Sequence, residues 1–134
     1  MNSTDQGILQ VRVYRASEAL PIPNAIVRIM GADEYSSDVK ISKLTDSDGT
    51  TEEIKLPTPG ISLSLTPSPP SAPYSVFDID VTKEGYYPKK IFNVPIFAGT
   101  KASLPIEMIP IAYNENGDII QIENLNSVIY ENDL

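Results

Sequence analysis

The sequence predicts an all-β fold, an antiparallel Greek-key β-sandwich of seven or eight strands, and three observations lead there. Apolar and polar residues alternate with a period of two along much of the chain, turn chemistry recurs between the alternating stretches, and no amphipathic helix of useful length interrupts them. A chain of 134 residues is long enough for one domain with its own core, burying roughly two-thirds of the surface its unfolded form exposes.

The elements follow in order. Between Gly7 and Arg15, the side chains of Leu9, Val11 and Val13 point one way while Gln10, Arg12 and Tyr14 point the other. Pro21, Pro23 and Asn24 make a turn, after which Ala25, Val27 and Ile29 face inward with Arg28 outward, and Gly31 closes the strand. Val39 to Leu44 reads as a third strand. Asp46-Ser47-Asp48-Gly49 has tight-turn chemistry, and with Thr50 to Leu56 behind it the sequence predicts a hairpin. Ile61 to Thr66 alternates without fault. Pro67, Pro69, Pro70 and Pro73 then force an extended crossing, because they fix φ and lack backbone donors. Phe77, Ile79 and Val81 alternate with Asp78, Asp80 and Thr82 in what reads as a central strand, ending at the corner Glu84-Gly85-Tyr86. Ile91 to Phe97 and Ala102 to Met108 read as a last pair joined across Ala98-Gly99-Thr100, with Pro95 and Pro105 suited to edges or bulges.

Composition narrows the chemistry. The chain has no Cys, which excludes disulfides, thiolate metal sites and Cys nucleophiles, and no His, which removes the usual base of a Ser nucleophile and the commonest transition-metal ligand. No cofactor, resident metal or catalytic residue is expected. A net charge of −8 repels nucleic-acid phosphates and anionic membranes, and no segment approaches the roughly 20 apolar residues of a membrane-spanning helix. The opening Met1 to Gly7 shows neither a basic nor an apolar leader region, so the sequence predicts a protein made in the cytoplasm without a visible signal peptide, or delivered by another route. Charge is uneven: residues 1–110 hold 10 basic and 13 acidic side chains, while residues 111–134 hold 5 acidic and no basic ones. This divides the chain into a sandwich over 1–110 and an acidic hairpin or arm over 111–134.

Leu9-Gln10-Val11, Pro23-Asn24-Ala25-Ile26-Val27, Thr45-Asp46-Ser47-Asp48-Gly49 and Lys83-Glu84-Gly85-Tyr86 together resemble the carboxypeptidase regulatory-like (transthyretin-like, or prealbumin-like) β-sandwich. Within that group, several further stretches look like the amino-terminal domain of bacterial spore cortex-lytic enzymes: Leu56-Pro57, Pro73-Tyr74-Ser75, Val94-Pro95-Ile96-Phe97-Ala98-Gly99-Thr100 and Met108-Ile109-Pro110. The resemblance covers residues 7–110. It implies a non-catalytic, pro-region-like or targeting role in a spore envelope or cortex setting. Only residues 111–134 follow, so it implies no lytic activity.

Three constellations invite a sharper role. Asp46, Asp48 and Glu52 approach the spacing of a calcium loop, but the loop is shorter than a twelve-residue site, and Asp with Gly is what a turn requires. Asp78 and Asp80 share a strand face, where solvation or cross-strand Lys pairing is the ordinary state of such carboxylates. Lys83, Lys89, Lys90 and Lys101, with Tyr86 and Tyr87, are expected to gather near the Gly85 corner as a partner or glycan surface, or else to guard a solvated edge. The absence of Trp weakens the carbohydrate alternative.

The arm carries a strong hairpin signal at Asn116-Gly117, flanked by Ile111 to Glu115 and Asp118 to Ile122. Tyr113, Ile119, Ile120, Ile122, Val128 and Ile129 make it apolar enough to pack on its own domain or add a strand to a neighbour. The sequence therefore predicts a non-enzymatic structural or adaptor module of the spore envelope. Such a module acts through strand edges and the arm on protein partners or on copies of itself, with peptidoglycan binding as the alternative.

Overall fold

The computed structural model describes residues 4–15, 20–33, 36–60, 73–121 and 127–128, and among these there is no helix. The strands are β1 (Thr4–Arg15), β2 (Leu20–Pro21), β3 (Ile26–Gly31), β4 (Lys40–Leu44), β5 (Ile54–Pro59), β6 (Tyr74–Thr82), β7 (Lys89–Phe97), β8 (Lys101–Met108) and β9 (Ser127–Val128). They form two facing sheets, the β-sandwich that the alternation predicts. In one sheet β1 lies in the middle, with β8 along one side, and β5 and β2 against opposite ends of its other side. The second sheet runs β4-β3-β6-β7-β9. The predicted strand at Ile61 to Thr66 and the proline crossing lie outside the described residues, apart from Pro73.

Alternation explains the core. Leu9, Val11, Val13, Ile54, Leu56, Ile106 and Met108 of the first sheet close on Val27, Ile29, Phe77, Ile79, Val81, Val94 and Ile96 of the second, all buried. At roughly 1.5–3 kcal/mol per buried side chain, this apolar contact is what offsets the entropy of ordering the chain. β6 is central, between β3 and β7, as its unbroken alternation predicts.

Two expected strand pairs do not form. β4 and β5 belong to different sheets, and so do β7 and β8, so Asp46 to Thr50 and Ala98 to Thr100 are arches between layers rather than hairpin turns. The local chemistry is that of a tight turn in both places: Asp46 N–H donates to Thr50 O at 2.9 Å, and Gly49 and Gly99 take φ of +74° and +70°. Thr51 N–H beyond the first turn bonds to Val11 O, and Gly99 N–H within the second bonds to Gln6 O, which draws the chain onto β1. Most of the pairing is antiparallel, but β8 lies parallel to β1 from Ile8 to Arg15, and β9 parallel to β7.

The prolines follow the hydrogen-bond parity. Ile8 N–H donates to Thr100 O at 2.9 Å, so Ala102, Leu104, Ile106 and Met108 turn their backbone groups to β1, and Pro105 faces the open edge. Val76 bonds sideways through Asp33 Oδ2 and Ala32 N–H, so Pro95 opposite it also presents its ring nitrogen away from the ladder. Pro57 stands opposite Gln6, whose carbonyl turns to Gly99, and Pro59 shares its parity. Each proline occupies a position where an N–H would have had no strand partner.

Candidate interaction surface

The corner after β6 is built by Lys83 O accepting from Tyr86 N–H at 3.1 Å, with Gly85 at φ +87°. Tyr86 then bridges to Pro110 and packs partly against the core, which holds its ring at the end of the sandwich. Lys83 and Tyr86 form the shared wall of a two-lobed groove, each lobe about 480 Å³. One lobe is completed by Asn24, Ile26, Thr82, Glu84 and Pro88. The other is completed by Arg15, Leu20, Pro21, Ile22, Pro23 and Ser47. Prolines and a tyrosine give rigid apolar walls, while Arg15 and Lys83 against Glu84 leave a local positive charge in an acidic protein.

The expected basic cluster is only partly assembled. Lys83 and Tyr86 meet in the groove, but Tyr87 is 6% exposed and turns into the structure. Lys89 stands opposite Val81, and Lys90 is exposed opposite Asp80. Lys101 is not near the corner: it begins β8 beside Ile8, at the far end of the sheet, and pairs with Glu53 at 2.6 Å. An extended strand advances about 3.3 Å per residue, so the course of β8 separates Lys101 from the corner that packs on Pro110.

The tempting carboxylates have structural duties. Asp46 Oδ1 accepts from Asp48 N–H at 2.8 Å and from Thr50 N–H at 3.1 Å, closing its own turn. Glu52 instead pairs with Lys43, and that hydrogen bond and charge hold its carboxyl below the ordinary glutamate value. Asp78 Oδ1 accepts from Asn93 N–H at 3.0 Å, bracketing a β-bulge where Asn93 takes φ +61°. Asp80 lies between Arg28 and Lys90 in the register. Among the described residues no three His, Cys, Asp or Glu side chains gather into a metal-binding group.

The described stretch of the arm, residues 111–121, forms its hairpin and docks on its own domain. Gly117 at φ +84° completes the turn, Asn114 Oδ1 accepts from the amides of Asn116 and Asp118, and Tyr113 bridges to Ile119. The Tyr87 hydroxyl is the clasp, accepting from Ala112 N–H at 3.2 Å and donating to Ile120 O. Tyr113, Ile119 and Ile120 nevertheless remain 59%, 48% and 43% exposed. Val128 lies in β9, paired with Phe92, while Ile122 and Ile129 lie outside the described residues. The sequence analysis missed Arg15, Leu20 and Ser47 as groove residues. It also missed Ile26 in the other lobe, for which a signal was present in Ala25-Ile26-Val27, where three apolar residues in a row force one outward from a strand.

No protein-family model and no curated protein matches the chain. Solved structures match it in fold. The Bacillus anthracis TIE protein superposes with a TM-score of 0.51 at 14% identity, over 87% of this chain and 23% of that one. The 3-chlorocatechol 1,2-dioxygenase of Rhodococcus opacus 1CP gives 0.56 at 13% identity, over 82% and 62%. Wild-type catechol 1,2-dioxygenase of Acinetobacter radioresistens gives 0.55 at 15% identity, over 95% and 58%. The chain thus spans about a quarter of the first protein and about three-fifths of the others. At these identities the likeness is one of fold, a β-sandwich, and extends to no activity.

Proposed function

We propose that this chain is a non-catalytic interaction module, a structural or adaptor unit of the transthyretin-like kind, that works by protein contacts through its groove, its strand edges and its arm. The observation that carries this is the groove itself, where Lys83 and Tyr86 unite two open lobes walled by proline and apolar side chains. Rigid apolar walls with a few charged groups suit an extended protein segment. A catalytic role finds little support: His and Cys are absent from the sequence, and Asp46, Glu52 and Asp78 are committed to turns, an ion pair and a bulge. The sheet order, with β1 between β5 and β8, supports the transthyretin-like assignment, and the motifs over residues 7–110 suggest a spore envelope setting. The dispersal of the lysines favours a protein partner over peptidoglycan.

The test is capture from spore extract by the full chain, by the groove double variant Arg15→Glu with Lys83→Glu, and by Lys101→Glu as a distant charge control. A specific protein retained by the native chain and the control but lost with the groove variant is the expected result. Equal capture by all three, or co-sedimentation with purified cortex in place of protein capture, overturns it.

A further inference from the structure

Among the described residues four sheet edges are open in whole or part, and all of these but that of β4 carry an outward-facing proline. On β5 the outward positions include Pro57 and Pro59, on β7 Pro95, and on β8 Pro105. An incoming strand finds no donor at those residues. β4 has no proline. Gly31 N–H donates to Val39 O at 3.0 Å, and Thr45 N–H to Ala25 O at 3.1 Å, so the odd-numbered residues of this segment face β3. Lys40, Ser42 and Leu44 therefore turn their N–H and C=O groups outward, and among the described residues no strand pairs with them. Beside this edge Leu44 is 60% exposed and Ile26, its neighbour across the ladder, 38%.

We infer that β4 is a self-pairing edge, at which two copies of this chain join antiparallel strands about a two-fold axis into one continuous ten-stranded sheet. This rests on the proposal that the chain works by protein contacts through its edges, and it names the edge and the partner. Backbone parity allows pairing only among Lys40, Ser42 and Leu44, and charge selects among the registers. Ser42 opposite the partner's Lys40 sets the two Lys40 side chains diagonally on one face, an arrangement of like charges. Ser42 opposite the partner's Ser42 leaves Lys40 against an apolar Leu44. Ser42 opposite the partner's Leu44 brings Lys40 to the partner's Asp46, where that strand enters its arch; Asp46 Oδ1 is taken by the turn, and its other oxygen has no hydrogen bond among the described residues. The same register brings Leu44 and Ile26 of both copies together around the axis, covering the apolar residues this face exposes. Lys43 then meets the partner's Lys43, but each is already paired with its own Glu52, so two ion pairs, each neutral as a unit, face one another and the repulsion across the axis is reduced. Lysines that would otherwise guard the edge are thus neutralised in the dimer.

The experiment is sedimentation velocity of the full chain over a range of concentrations, beside Ser42→Pro. Proline there removes an outward donor and no internal ladder bond, so the urea midpoint of the monomer should not move. The native chain is expected to dimerise, and the variant's dimer dissociation constant to rise about tenfold or more, since two strand hydrogen bonds are lost per dimer. Amide exchange of the native chain supplies a second readout, with Ser42 and Leu44 slowing as concentration rises. A native chain that stays monomeric throughout, a Ser42→Pro dimer of undiminished affinity, or concentration-independent exchange at Ser42 and Leu44 each overturns the inference. Ile26 also lines one groove lobe, but groove capture is read through Arg15 and Lys83, neither of which pairs in the dimer, so it tests the broader proposal separately.

Discussion

Gly31 ends β3 where the following loop doubles back, and a Cβ built on it would stand 1.6 Å from Ser36 O. That carbonyl has little freedom to retreat, because Ser36 is fixed from three sides: its hydroxyl and amide bond to Asp33 Oδ1, its hydroxyl also reaches Val76 O, and its own O accepts from Val39 N–H at 2.8 Å. Gly31→Ala is expected to destabilise the fold by about 3 kcal/mol or more, since the overlap is with backbone and relief requires the loop to leave β6; urea denaturation measures it. The exposed Glu52 behaves differently. Its carboxyl is held below the ordinary value by Lys43, so the pair's small stabilisation is present above the ordinary glutamate range and fades as pH falls through the lowered value. An NMR titration of the Glu52 carboxyl should show this low midpoint, and Lys43→Met should move it upward.

Elements differ in how openly the sequence declares them. Leu9, Val11 and Val13, and likewise Phe77, Ile79 and Val81, are legible as inward triplets because a half-buried strand must alternate. Their partners are less legible. Asp and Gly at Asp46 to Gly49 specify a reversal of the chain, yet reversal serves an arch between sheets as well as a hairpin within one, and only the bonds of Thr51 N–H to Val11 O and of Val13 N–H to Gly49 O decide. The arm hairpin at Asn116-Gly117 was legible because its bonds are local, while its dock was not, because the Tyr87 clasp lies some 25 residues away in sequence. Tyr87→Phe is expected to free that hairpin, speeding amide exchange at Ile120 about threefold to tenfold for the loss of hydrogen bonds worth about 1 kcal/mol. The urea midpoint of the sandwich should stay nearly unchanged, since the core contacts of the ring survive.

At the scale of the molecule, binary patterning was enough for two layers and a core, while the surface depends on three-dimensional neighbours. That Lys83 and Tyr86 lie together was legible because one tight corner holds both, within three positions of each other. Lys101 was assigned to the same cluster from residue type alone, and the direction of β8 sends it to the other end of the sheet. The groove combines Arg15, Pro21 and Ser47, which come together only when β1, β2 and the arch after β4 converge.

The parallel union of β1 and β8 sets an order of events in biogenesis. Local reversals give a strand its neighbour early, whereas a parallel partner must arrive through a long detour. β1 leaves the ribosome first, and the chain must emerge through Met108 before Ile8 to Arg15 gain their second neighbour. Until then the central strand of its sheet is half-satisfied and open to a chaperone or a wrong mate. A chain stopped after Phe97 should accordingly lose cooperative thermal unfolding, and adding a peptide spanning 98–110 in trans should restore it.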